Sequence, residues 1–187
     1  VCSSDLYGCV EKFLQTDADY LVVLEDDLRI DNNFSSTLQE ILHYLHSQKN
    51  IEWNLINLAA KKNKISREIF RTHDYSLVRA YYFPIRGVGL VWSRQGAHDF
   101  LKMAQNPCLP VDIFFQNWLI KNGKGLSIWP PLVRPAGLDS DILGTVATER
   151  VRRKQKENRD FSFFMKKQLR LLKNNILAYI NFLLFKS

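Results

Sequence analysis

The stretch Leu21-Val22-Val23-Leu24-Glu25-Asp26-Asp27 constrains this chain more than any other. Four apolar residues run directly into three carboxylates. The apolar run predicts a strand buried on both faces, as in a parallel sheet. In open α/β sheets, ligands bind just beyond the carboxyl ends of such strands. Three adjacent acids repel one another unless a cation sits among them. A hard divalent ion carrying a phosphorylated ligand suits clustered carboxylate oxygens. The alternative is a strand end whose solvated acids simply open the next loop.

The flanking pattern alternates between helical and strand periods, which indicates an α/β domain. A helix is predicted over 7–15, with Val10, Phe13 and Leu14 on one face. A second begins at Phe34, after the cap-rich Asp31-Asn32-Asn33, with Leu38, Ile41, Leu42 and Leu45 at helical spacing. Strands are predicted over 53–58, 76–83 and 87–93, and a last one over 126–129. Segment 61–71 is polar and basic and predicts a loop or short exposed helix. Gly87 and Gly89 mark a strand that another backbone, or a ligand, approaches closely. Ser93 sits at the N-cap of a helix over 94–104. A further helix, over 113–120, ends at Asn122-Gly123. Segment 127–141 holds Pro130, Pro131, Arg134, Pro135, Asp139 and Asp141 and reads as a loop covering a site. Trp92 and Trp129 are expected in the core, with sugar stacking as an alternative for Trp129.

A chain of 187 residues is most simply one domain. Its net charge of +7 is uneven. Residues 149–187 hold 11 Lys and Arg against 3 Asp and Glu, whereas the rest is near neutral. This pattern argues against a nucleic-acid-binding core and for a tail that meets an anionic surface. Within the tail, Phe161, Phe164, Met165, Leu169, Leu172, Ile176, Ile180 and Leu183 recur at helical spacing, with Lys166, Lys167, Arg170 and Lys173 between them. Such a helix suits the surface of a membrane carrying anionic lipids; docking on its own domain is the alternative. Cys2, Cys9 and Cys108 have no metal-ligand or disulfide spacing, which favours a reducing compartment. The histidines have no ligand spacing either. Residues 1–6 back-translate to the end of a common sequencing adapter and read as a non-native scar. The expected organisation is thus a scar over 1–6, a domain over 7–148 and a basic helical tail over 149–187.

Several segments resemble glycosyltransferase family 25, which includes lipopolysaccharide and lipooligosaccharide galactosyltransferases. In family order they are Gly8-Cys9, Val23-Leu24-Glu25-Asp26-Asp27, Phe34 with its helix, Trp53-Asn54-Leu55-Ile56, Gly89 to Ala97, Pro110-Val111-Asp112 and Ser140-Asp141-Ile142. The resemblance implies a GT-A-like (Rossmann-like) fold and a UDP-sugar donor, UDP-galactose first. It also implies inverting transfer to a lipid-linked oligosaccharide, on the cytoplasmic face of a bacterial inner membrane. Asp26 and Asp27 would hold Mn2+ or Mg2+, and Glu25 and Arg134 would complete the donor site. Asp112 is the first candidate for the base, with Asp141 and Asp139 as alternatives. Neighbouring residues on an extended strand face opposite ways, so the three acids can converge only if the chain turns there. A helix N-terminus would lower the Asp112 pKa, and Asp112 could equally be a plain N-cap. Two departures from the family pattern are Lys12-Phe13 in place of a Ser-His pair and Asn54 in place of an Asp. The first strand and nucleotide-binding stretch of a full member would precede residue 1. The resemblance therefore implies weak or no turnover by these residues alone.

Overall fold

The computed structural model describes residues 3–103, 110–136 and 161–184. Cys108, Asp139, Asp141 and segment 149–160 lie outside the described residues. The elements in chain order are α1 (Ser3–Leu14), β1 (Tyr20–Leu24), β2 (Leu28–Ile30), α2 (Phe34–Ser47), β3 (Leu55–Asn57), β4 (Ser66–Arg71), β5 (Ser76–Ala80), β6 (Gly89–Ser93), α3 (Arg94–Met103), α4 (Val111–Asn122), β7 (Gly125–Trp129), β8 (Val133–Pro135) and α5 (Phe161–Leu184).

Six strands form one mixed sheet in the order β1-β6-β3-β7-β5-β4. β6 runs antiparallel to both β1 and β3, and β3 runs parallel to β7. The carboxyl ends of β1, β3 and β7 therefore share one edge of the sheet. Side chains alternate between the sheet's two faces, as the two-residue period of a strand requires. Leu55, Leu90 and Trp92 pack toward α1, α3, α4 and α5, with Val10, Phe100, Phe115, Trp118 and Ala178. Ile56, Val91, Leu126 and Ile128 pack toward α2, with Leu38, Ile41 and Leu45. The result is a three-layer α/β arrangement, in keeping with the expected class.

The helix boundaries follow local chemistry. Ser93 Oγ accepts the Gly96 N–H at 2.9 Å, the expected N-cap of α3. α4 ends at Gly123, whose φ of 69° is the left-handed cap that glycine adopts without a Cβ penalty. α1 begins at Ser3, within the segment read as a scar, and Leu6 is buried in the core.

Four expectations need correction. β1 is not a doubly buried parallel strand: among the described residues its one sheet neighbour is β6, antiparallel, and Val22 is 39% exposed. Segment 61–71 is not all loop or helix, because residues 66–71 form β4, an edge strand paired with β5 across a bulge. Charged residues such as Arg67, Glu68 and Arg71 suit a sheet edge that must resist further pairing. β7 is not the last strand, since β8 pairs antiparallel with β2. Trp92 is buried as expected, but Trp129 is 41% exposed at the end of β7.

Candidate functional site

β1 stops at Leu24 and β2 starts at Leu28, so Glu25, Asp26 and Asp27 lie on the bend between two strands. The chain therefore turns at the acids, although no three metal-ligating side chains among the described residues gather at one point. Two backbone bonds fix the turn. The Glu25 N–H donates to the Val88 carbonyl at 3.0 Å, and the Ala136 N–H donates to the Asp27 carbonyl at 2.8 Å. The second bond explains the segment after β7. It folds back as β8, and its end holds the acidic bend in place. Asp26 is exposed, while Glu25 and Asp27 are half-buried.

Asp112 lies in the first turn of α4, where Pro110 is the N-cap and no side chain among the described residues caps the helix. Its carboxylate instead accepts the Gly87 backbone N–H. A Cβ at Gly87 would come within 2.5 Å of Asp112 Oδ1, so the close approach expected at this glycine is made by a catalytic candidate. Glu25, Asp112, Arg86 and Gly87 line one cavity of about 210 Å³, closed behind by Leu6, Leu90 and Phe115. Burial pushes the Asp112 pKa above the usual carboxylate range, and the Glu25 charge pushes it the same way. The Gly87 N–H opposes both. The lowered pKa expected from a helix N-terminus is thus overturned, because desolvation and a like charge outweigh the favourable donors. A carboxyl shifted upward in this manner is a better proton acceptor.

The loop 84–88 that carries Arg86 and Gly87 is pinned from below. Buried Asn57, at the end of β3, donates from Nδ2 to the Arg86 carbonyl at 2.6 Å. Its Oδ1 accepts the Ala59 N–H at 2.9 Å. Buried Gln116 on α4 donates to the Phe83 carbonyl at 2.9 Å. Neither residue is visible as functional in the sequence. A lone Asn after a strand and a Gln within a helix carry no signal until the loop above them is known.

Arg134 is exposed on β8, directly opposite Arg29. It does not line the cavity of Glu25 and Asp112, and its charge helps hold the Asp31 carboxyl below its usual range. The backbone N–H of Asn33 is the largest cause of that lowering. The sheet and α4 thus bring Glu25 and Asp112 together, with Asp26 and Asp27 on the adjoining bend. Asp141 lies outside the described residues.

No curated protein sequence matches the chain. The profile of glycosyltransferase family 25, described as LPS biosynthesis proteins, matches residues 6–115. That span covers more than half of the chain and contains Glu25, Asp26, Asp27 and Asp112. The bent acidic segment, the glycine-cradled Asp112 and the sheet edge that joins them therefore belong to a chain that is a member of glycosyltransferase family 25.

Proposed function

We propose that this glycosyltransferase has a GT-A-like active site and moves a hexose, galactose first, from a UDP-sugar to a lipid-linked lipopolysaccharide or lipooligosaccharide glycan with inversion. The observation that carries the reading is the position of Asp112. Its carboxylate is held by Gly87, shares a cavity with Glu25 and has a raised pKa, and Glu25 begins the bend that bears Asp26 and Asp27. The acceptor hydroxyl oxygen attacks the anomeric carbon on the face opposite the diphosphate. A new C–O bond forms as the C–O bond to the β-phosphate breaks, Asp112 takes the hydroxyl proton, and UDP departs.

Asp26 and Asp27 would hold Mn2+ or Mg2+, with Arg134 as a further positive charge near the donor diphosphate. Among the described residues, no three metal-ligating side chains gather at one point. Two carboxylates on a bend fit an ion that takes its remaining ligands from phosphate oxygens and water. Such an ion supplies Lewis-acid stabilisation of the leaving group when bound. Calorimetric titration with UDP and manganese tests the assignment. Asp27→Ala is expected to weaken metal-dependent UDP binding by about tenfold or more, because the ion loses a charged ligand. Unchanged affinity would remove Asp27 from the donor site.

The membrane reading of the tail is supported by the two faces of α5. Its inner face docks on the domain: Ala178 is buried, and Asn181 Nδ2 donates to the Ile120 carbonyl at 2.7 Å. Its outer face exposes Met165, Leu169, Leu172, Ile176, Ile180 and Leu183. No described helix is long and apolar enough to cross a membrane. An in-plane helix whose apolar side meets the acyl boundary and whose lysines meet anionic headgroups fits both facts. This would hold the enzyme on the cytoplasmic side of the inner membrane, next to its acceptor. Replacing Leu169, Leu172 and Ile176 together by serine is expected to reduce co-sedimentation with anionic vesicles severalfold without unfolding the domain, since all three are exposed. Equal partitioning of variant and parent would end the membrane reading.

A further inference from the structure

A second cavity, of about 380 Å³, lies beyond the loop that carries Gly87. Ile85 and Arg86 line both cavities and form the partition between this one and that of Glu25 and Asp112. Lys61, Lys62, Lys64 and Arg86 converge on the second cavity, and no acidic side chain among the described residues lines it. None of the four makes an ion pair with a described carboxylate. Basic side chains gathered with no counter-charge among the described residues repel one another, a cost that an arriving anion removes.

A second, independent feature sits in the same wall. Tyr82 is only 4% exposed, and its hydroxyl is sealed from water without a hydrogen-bond partner among the described residues. A buried polar group left unsatisfied costs about 1–3 kcal/mol, so it calls for an explanation. Burial raises the Tyr82 pKa, which keeps the hydroxyl protonated as a donor. Lys64 Nζ rests 4.3 Å above the Tyr82 ring.

We propose that this cavity is a phosphoryl subsite, in which Lys61, Lys62, Lys64, Arg86 and the Tyr82 hydroxyl hold a phosphate group carried by the acceptor saccharide. The inference rests on the transferase reading and adds the chemical class of the acceptor. The donor's diphosphate is already provided for at the Asp26–Asp27 bend, next to Glu25. A second anion-binding pocket on the far side of the Asp112 cavity serves the other substrate. With its phosphate anchored there, an acceptor sugar can extend past Ile85 to present a hydroxyl to Asp112.

Calorimetric titration of the whole chain with glucose 6-phosphate, with glucose, and with UDP plus manganese tests the proposal. Glucose 6-phosphate is expected to bind with an affinity that falls as salt is raised, and glucose is not expected to bind measurably. Tyr82→Phe, which removes only the hydroxyl, and the paired change Lys62→Ala with Lys64→Ala should each weaken glucose 6-phosphate binding by about tenfold. UDP–manganese binding should stay within about twofold in both variants, and matching thermal melts confirm that they fold. Equal binding of glucose and glucose 6-phosphate, or unchanged glucose 6-phosphate affinity in both variants, overturns the subsite. A parallel fall in UDP affinity assigns the cavity to the donor diphosphate and overturns the acceptor assignment. Salt-sensitive glucose 6-phosphate binding without any UDP binding supports the subsite while removing the UDP-donor reading.

Discussion

Replacing Asp112 by asparagine is expected to slow sugar transfer at least about a hundredfold, the lower range for loss of a positioned general base. Asparagine keeps the shape, and its Oδ1 can still accept the Gly87 N–H, so binding and fold should survive. A single-turnover assay with enzyme in excess follows even slow transfer and is the appropriate measurement. The pH dependence adds a signature. The Asp112 pKa is raised first by burial and then by the Glu25 charge. The acid limb of kcat/KM should therefore lie above the ordinary aspartate value of about 3.9. Glu25→Gln removes the like charge and should move that limb to lower pH. The stability consequence has the same origin. A carboxyl whose folded pKa is raised contributes most below its unfolded pKa, and that contribution is lost as pH rises through the folded pKa. Above the folded-state pKa of Asp112, where that contribution is gone, the asparagine variant should be at least as stable as the parent. Gly87→Ala offers a second route to the same loss, because the added methyl would push Asp112 Oδ1 off its seat from 2.5 Å away. Transfer within about threefold of the parent in Asp112→Asn would sink the assignment of Asp112 as base.

The largest effect on stability is expected from Gly96→Ala. In most helices this exchange is favourable, since alanine has the higher propensity. Here α3 crosses the segment leading into β3 so closely that a Cβ on residue 96 would lie 2.6 Å from the Asn54 Cα and carbonyl carbon, and closer still to its oxygen. The obstacle is backbone that is itself tied down. The Asn54 carbonyl accepts the Ser93 N–H at 3.1 Å, and the Asn54 N–H donates to the Lys124 carbonyl at 2.9 Å. Relief requires shifting α3 off the sheet, and overpacking of this kind costs about 3 kcal/mol or more. Gly8 provides the contrast, because it lies within α1 and an added methyl there would meet no atom of the described residues inside 4 Å. Gly8→Ala should stabilise by up to about 1 kcal/mol through helix propensity alone. Urea unfolding followed by tryptophan fluorescence checks both, since Trp92 on β6 and Trp118 on α4 are buried and both pack against Phe100 of α3. A loss below about 1 kcal/mol in Gly96→Ala would show that α3 can move freely over β3.

The candidate site was legible in part, and the boundary between its two parts has a physical basis. Glu25, Asp26 and Asp27 could be read because an apolar strand and the charges at its end are adjacent in the chain. Gly87 was legible as a point of close approach, but the approaching group was not. Asp112 is far along the chain, and only the packing of α4 against the loop 84–88 brings the two together. The direction of the Asp112 pKa was misjudged for the same reason. A helix N-terminus is visible in sequence, whereas burial and the nearness of Glu25 are not. Asn57, which holds the loop by its side chain, gave no signal at all.

Local chemistry along the chain set the class of fold, the caps at Ser93 and Gly123, the helical stripe of α5 and the family to which the chain belongs. These depend on residues a few positions apart, whose spacing records which face is buried and where the backbone must turn. Tertiary packing alone decided that β1 lies beside β6 rather than inside a parallel sheet, and that residues 133–135 become a strand by pairing with β2. It also decided that the polar segment 61–64 lends its lysines to a cavity beside Asp112. Sheet partners, burial and electric fields are sums over groups distant in sequence, so they exist only once the chain has folded.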